Sequence, residues 1–385
     1  MINGFTAFMF PLLAREALIK RDQMRLTIGV VACMILLQVA CKKDAPPEPP
    51  SHKDPRTYTW TVDTLEHPES YQTMMERMWG SAPNNLFVVG HNDVGKRKMY
   101  HYDGQRWDVV PITQNEGGPI ERPNLSDIFG LGPSNIFVVG DRATSNPNPP
   151  PPTIFASLII WFDGVRWSEI PTTGLARWCI GGNSSGLAYT AGQGNIGFLL
   201  NGRAPQPDTI PLTWPQSATS YGVGSVAVTP SCEVYANAFW HDNTTAEDRH
   251  YFLERTPGSG WRIIDSASVR PGLVESKWGY GELWFSPWGI LYSIYGDVWI
   301  WDGSRWSTMM EGDTFLTDIK GRDESNLFVC GHFGLLYHFN GQDWYQFPQF
   351  AGYDLIFRAL LVFDDEVFVL GHQAAGLRSY VFHGR

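Results

Sequence analysis

Short apolar runs alternate with polar turns along most of this chain, and the runs return in a fixed order. From Asn85 the sequence reads Asn-Leu-Phe-Val-Val-Gly-His, breaks into polar residues, and resumes as Met-Tyr-His-Tyr-Asp-Gly-Gln-Arg-Trp, ending at Trp107. Ile136-Phe137-Val138-Val139-Gly140 leads in the same way to Trp161-Phe162-Asp163-Gly164-Val165-Arg166-Trp167. Leu327-Phe328-Val329-Cys330-Gly331-His332 leads to Tyr337-His338-Phe339-Asn340-Gly341-Gln342-Asp343-Trp344. A short run of Val, Leu, Ile and aromatic residues bounded by Gly and Asn is the pattern of a strand, and Asp-Gly or Asn-Gly between two such runs supplies the positive φ of a hairpin. The Trp three residues after that Gly opens the next strand, placed to cover the apolar face of its own sheet. A further strand precedes each unit, as at Met78-Trp79-Gly80 before the turn at Pro83–Asn85. Each unit is thus expected to hold four antiparallel strands.

The glycine turn recurs at Asp103-Gly104, Asp163-Gly164, Asn201-Gly202, Pro257-Gly258, Asp302-Gly303, Asn340-Gly341 and His383-Gly384. Seven units between Tyr58 and Arg385 average about 47 residues, the size of a propeller blade. The expectation is a single all-β domain over 58–385, a seven-bladed propeller, with six or eight blades as alternatives because the third and fourth units are degenerate. The seventh unit stops at its turn. Tyr58-Thr59-Trp60-Thr61-Val62 resembles a fourth strand such as Gln105–Val109, so Tyr58–Leu65 is expected to complete the last blade and close the ring, leaving no open edge.

The N-terminus follows a different pattern. Leu26–Ala40 is an apolar run preceded by Lys20, Arg21 and Arg25, short for a membrane span and arranged as an export signal. Met24 is a candidate start within it. The run ends in Gln38-Val39-Ala40-Cys41, which resembles the lipobox of bacterial lipoproteins, with Gln38 where that family favours Leu. The resemblance implies removal of 1–40, lipidation of Cys41, and attachment to the outer membrane of a bacterial envelope. Residues 41–57 are polar and Pro-rich, as in an extended tether. Loss of 1–40 takes four of 29 basic and two of 39 acidic side chains, leaving a net charge of −12. So acidic a domain is not built for nucleic acid or anionic lipid, and contact with the membrane is expected through the N-terminal lipid only. Cys179, Cys232 and Cys330 then remain, an odd number that rules out a full disulfide framework, and Cys330 within Leu-Phe-Val-Cys-Gly reads as a buried free thiol.

The pattern Trp-Gly-x-x-Pro-x-Asn-Leu-Phe-Val-Val-Gly followed by Tyr-Asp-Gly-x-x-Trp resembles the repeats of sialidase-like, Asp-box-type propellers of exported bacterial lipoproteins. A true Asp box has Ser or Thr two places before the Asp and Gly two places after it. Here Tyr102 and Phe162 directly precede the Asp, and Gly follows directly. The resemblance implies the fold, and a role in binding more than in chemistry.

Up-and-down strands place the blade-to-blade connections and the loops between second and third strands on one face. All the long segments fall there: His91–Lys98, Pro111–Ser126, Asp141–Thr153, Ala204–Tyr221 and His241–His250. Insertions gathered on one face suit a binding surface. The residues ending the second strands, His91, Asp141, Gln193, Phe239, Tyr295, His332 and His372, share that face. His91, Asp141, His332 and His372 are candidates for a ligand or transition-metal site at the channel mouth, with hydrogen bonds to turn backbone as the plainer role. First strands line a propeller channel and carry Arg77, Asp127, Arg177, Glu282, Asp318 and Arg358, which read as an ion network. A sialidase-like site needs three arginines with an acid and a Tyr-Glu pair, and only Arg77 and Arg358 fall on adjacent units. No cofactor or catalytic residue is assigned. The expected function is a monomeric, lipid-anchored, non-catalytic propeller that binds a protein or glycan partner through the long-loop face. The alternatives are a glycan-processing hydrolase using Asp127, Asp141, Glu282 or Asp318, and an architectural envelope component.

Overall fold

The computed structural model describes residues 52–385 except 68, 95–97, 113–122, 146–152, 173–177, 201–205, 246, 270–277, 279–280, 313–315, 353 and 376–377. The expected export signal, Cys41, most of the tether, and Arg177 lie outside the described residues. The described chain forms seven four-stranded antiparallel sheets, each of successive strands except the last. Blades one to six span 73–109, 123–170, 179–208, 220–269, 282–310 and 316–346, and blade seven combines 355–384 with 60–65. Among the described residues the only helix is a single 3-10 turn, Pro55–Thr57.

Ring closure occurs where the repeat count requires it. Trp60–Leu65 pairs with Ser379–Gly384 from Trp60 opposite Gly384 to Leu65 opposite Ser379. Thr59 and Arg385 exchange backbone hydrogen bonds at 3.0 and 3.1 Å. Order begins before Tyr58, inside the stretch expected to be tether. The Lys53 amide donates to Asp365 Oδ1 at 3.1 Å and its ammonium to the Arg385 carbonyl at 2.9 Å, while Asp54 caps the 3-10 turn.

The glycine turns differ from a two-residue hairpin with two positive φ angles. Gly104 alone is left-handed, at φ 94°, and the loop is closed by the Asp103 carboxylate, which accepts from the amides of Gln105 at 2.8 Å and Arg106 at 2.9 Å. Asp163, Asp302 and Asn340 do the same. A short acceptor side chain followed by Gly is therefore the requirement.

Seven apolar clusters fill the seven seams between blades. Phe87, Val89 and Met99 of blade one pack with Leu125, Ile128, Ile136 and Val138 of blade two, and the other six clusters join neighbouring blades in the same way. The recurrent Trp serves these seams as well as its own sheet. Trp167 meets Phe162 of its own blade but also sets its edge on Phe87 of the preceding blade at 5.6 Å. Trp306 meets Phe252 at 4.9 Å, Trp261 meets Tyr189 at 6.1 Å, and Trp60 meets Phe347 at 5.4 Å. The Gly that follows the first-strand aromatic in blade two has a related origin: a Cβ on Gly130 would lie 2.1 Å from the Trp79 ring of the blade before it.

Two of the expected long loops begin and end as strand. Blade two continues its middle hairpin through Ser145 paired with Thr153, and blade four through Asp242 paired with Glu247, so 141–145 with 153 and 241–242 with 247–250 extend the sheets as raised ribbons. Strand residues beyond the common length can pair with each other even when no apolar face demands it.

Candidate functional site

Five inner strands carry an extra residue at the same level of the channel: Glu76, Ser126, Gly224, Thr317 and Arg358 interrupt the pairing with the second strand. Such a bulge re-aims the following side chain. The next residues form a belt around the channel, in which Arg77, Asp127, Cys179, Ser225, Glu282, Asp318 and Ala359 occupy equivalent places and line one cavity of about 410 Å³. Arg358 stands one step nearer the long-loop face than Arg77, a shift that the bulge imposes and that simple strand alternation does not foresee.

The belt is ion-paired across the axis. Arg77 lies 3.2 Å from Glu282 of blade five and 3.8 Å from Asp127 of blade two. Glu282 also lies 3.4 Å from Lys320, which pairs in turn with Asp318. Above the belt the Arg358 Nε and Nη2 atoms both donate to Glu76 Oε2, the former at 2.8 Å. Both arginines that a sialidase-like carboxylate grip would use are therefore engaged by acids of the chain itself. Glu76 and Lys320 had not been singled out in the sequence. Lys320 could have been found, since it lies two residues after Asp318 on the same strand and so on the same face.

Three belt residues also stitch blade to blade. The inner strand of a blade is a sheet edge whose amides need acceptors. Asp127 Oδ2 accepts from the Ile180 amide at 2.8 Å, Ser225 Oγ from Leu283 at 2.9 Å, and Asp318 Oδ2 from Leu360 at 2.7 Å. Burial raises the Asp127 carboxyl to about 7 although Arg77 and the amide donors oppose it. Burial likewise raises Asp318, against the pull of Lys320. At Glu282 the burial effect is outweighed by Arg77 and Lys320, and at Glu76 by Arg358, so these two acids are held below the ordinary carboxylate range.

The mouth on the long-loop face holds a second pocket of about 410 Å³, lined by Glu76, Arg77, His91, Asn124, Leu125, Ser126, Trp178 and Arg358. His91 is 3.9 Å from Glu76. His372 is nearly inaccessible and burial lowers it to about 4, with Arg358, His91 and His332 pushing the same way. Burial also lowers His91 and His332, so the charged form is disfavoured at all three imidazoles. His91 lines the mouth pocket and His332 the channel cavity, while His372 lines neither, and among the described residues no three His, Cys, Asp or Glu side chains converge closely enough to hold a metal ion. Asp141 stands apart, accepting from Asn124 Nδ2 at 3.1 Å, while the buried Lys98 donates to Asn124 Oδ1 at 3.2 Å. Tyr295 ends its strand opposite Asp297 and lines the channel cavity. The three described cysteines, Cys179, Cys232 and Cys330, are free, and Cys330 is fully buried.

The residue after His332 is unexpected. Phe333 is 59% exposed and sits at φ 59°, a conformation that bulky residues avoid. Tyr71, on the blade-to-blade connection of the same face, is 79% exposed. Phe-Gly in a turn carries no sequence signal that separates it from an ordinary loop.

No family model matches this sequence, and no curated protein matches it. Solved structures do resemble the fold. The chain is similar to the structure described as YCF48 bound to D1 peptide, with a TM-score of 0.56 and 15% identity over 86% of this chain and 95% of that one. It is also similar to YCF48 from Cyanidioschyzon merolae, with a TM-score of 0.54 and 15% identity over 84% and 98%. The chain is a seven-bladed β-propeller of four-stranded antiparallel blades.

Proposed function

We propose that this propeller performs no chemistry and holds a segment of a partner protein across the long-loop mouth of its channel. The observation that carries the reading is Phe333. A left-handed conformation is unfavourable for a non-glycine residue by about 1–2 kcal/mol, and here it presents an aromatic ring to solvent instead of to a core. Tyr71 adds a second exposed ring to that face, whose mouth pocket is lined by Trp178, Asn124 and His91 among others. Aromatic anchors around a polar pocket are the usual composition of a protein-recognition patch. A similarly folded propeller is described with a bound peptide, which agrees with this use of the fold.

Peptide-library selection against the full chain, followed by anisotropy titration, tests this. Selected peptides should bind Phe333→Gly at least about tenfold more weakly, the size of a lost hot spot. The variant's stability should stay within about 1 kcal/mol, because glycine accepts the backbone conformation. Equal affinity for the variant, or selection of neutral glycans over peptides on an array, would replace the reading.

We further propose that the protein is tethered to a bacterial outer membrane by lipid on Cys41, on the strength of the apolar run and Val39-Ala40-Cys41. Mass spectrometry of the detergent-extracted protein should find an acylated N-terminal Cys41. A mature N-terminus at any other residue contradicts it.

A further inference from the structure

We propose that the channel cavity is a binding pocket for a small organic cation, an ammonium or guanidinium, independent of the partner site at the mouth. Three observations converge on it. The first is charge. Asp127, Glu282 and Asp318 line the cavity with Arg77, Lys320 and Arg358, but Arg358 is taken up by Glu76 just outside the lining, so four acids meet three bases and the group is formally one positive charge short.

The second is the wall beyond the belt, on the side of the short turns. There Trp79, Phe129 and Trp284 occupy the next inward places and line the same cavity. Aromatic faces attract cations that have shed water, and the pocket already contains one example, the Lys320 ammonium 5.6 Å from the centre of the Trp284 ring. The third is space. A volume of about 410 Å³ is far more than a bare ion needs, and no three of the described acid, His or Cys side chains converge on a single point as an inorganic cation requires. The uncompensated acid also agrees with Asp127, which burial raises to about 7, with the neighbouring Glu282 charge adding to it.

Calorimetric titration of the full chain at constant ionic strength tests the proposal with choline, butylammonium and butylguanidinium. The matched control is 3,3-dimethylbutanol, which has the shape of choline without its charge. At least one cation should bind, and the neutral control should bind about tenfold more weakly or not at all. N-acetyl-lysine methylamide forms a parallel arm: tighter binding than butylammonium would identify the cation as a partner's side chain, and weaker binding as a free amine.

Two variants are expected to move affinity in opposite directions. Glu282→Gln removes the deficit and should abolish binding. Lys320→Met doubles the deficit and frees the Trp284 face, and should tighten binding several-fold. A misfolded protein could mimic the loss but not the gain. The proposal is overturned if cations bind no better than the alcohol, if neutral sugars bind in their place, or if Lys320→Met, folded by circular dichroism, weakens binding.

Discussion

At the seams, equivalent positions repeat: Trp167 on Phe87, Trp261 on Tyr189, Trp306 on Phe252 and Trp60 on Phe347 each seal one blade to the blade before it. In the channel, equivalent positions differ, with Arg77, Asp127, Cys179, Ser225, Glu282, Asp318 and Ala359 in turn around the belt. The seams answer one physical need seven times, the removal of apolar surface from water, so the same solution recurs, though the fourth strand of blade three, Gln206–Asp208, carries no Trp. The belt residues face one another across the axis, where seven copies of any charged residue would repel. Individuality is forced there by electrostatics, and the same individuality is what gives the cavity a net charge and a chemical preference.

The comparison can be broken most forcefully at a seam. Trp306→Ala should remove about 3–5 kcal/mol of unfolding free energy, as large-to-small core changes do, because the ring is 6% exposed and packs on Phe252 and Trp301. Urea denaturation measures this, and a loss under about 1 kcal/mol would deny the seam its place as the main source of stability.

The belt should respond less. Asp318→Ala leaves the Leu360 amide without its acceptor and the Lys320 ammonium with Glu282 alone, a loss of roughly 2–3 kcal/mol for a buried donor stripped of a charged partner. Asp318→Asn should recover part of that loss in the same denaturation experiment, because its carbonyl can still accept from Leu360.

The smallest effect is one of pH and sharpens the contrast, since the seams carry no titrating group in common. Asp127 binds its proton more tightly folded than unfolded, so its contribution to stability is fully present below about pH 4 and is lost as pH rises through about 7. Stability should fall by roughly 1 kcal/mol between pH 6 and 8 on this account. Glu76 and Glu282, held low, act in the opposite sense, and their contribution disappears only as pH falls below the ordinary range for glutamate. Thermal melts of the wild type and Asp127→Asn at pH 6 and 8 should show the decline in the former and a flatter response in the latter.

Much of the fold was legible because its causes are local. The Leu-Phe-Val-Val-Gly runs, the Asp-Gly turns and the trailing Trp each act within a few residues, so counting them set the number of blades. A last unit with three strands of its own required a fourth from elsewhere, and Trp60 marked it, although His383-Gly384, counted as a turn, ends the third strand with Gly384 paired to Trp60. The strand extensions at 141–145 with 153 and at 241–242 with 247–250 were not legible, since pairing between two polar strands depends on the frame beneath them. Nor was the exposed ring of Phe333, whose backbone is held by its surroundings: the Gly352 amide donates to its carbonyl at 3.1 Å.

Sequence alone determined a closed ring of seven four-stranded sheets and brought Arg77, Asp127, Glu282 and Asp318 to its axis, because strand periodicity and turn chemistry are properties of neighbouring residues. Only the tertiary structure decided that Arg77 pairs with Glu282 across the channel, that Arg358 steps out of the belt to meet Glu76, and that Lys320 joins it. Those choices rest on bulges and on distances between residues from different blades, and no spacing along the chain encodes them.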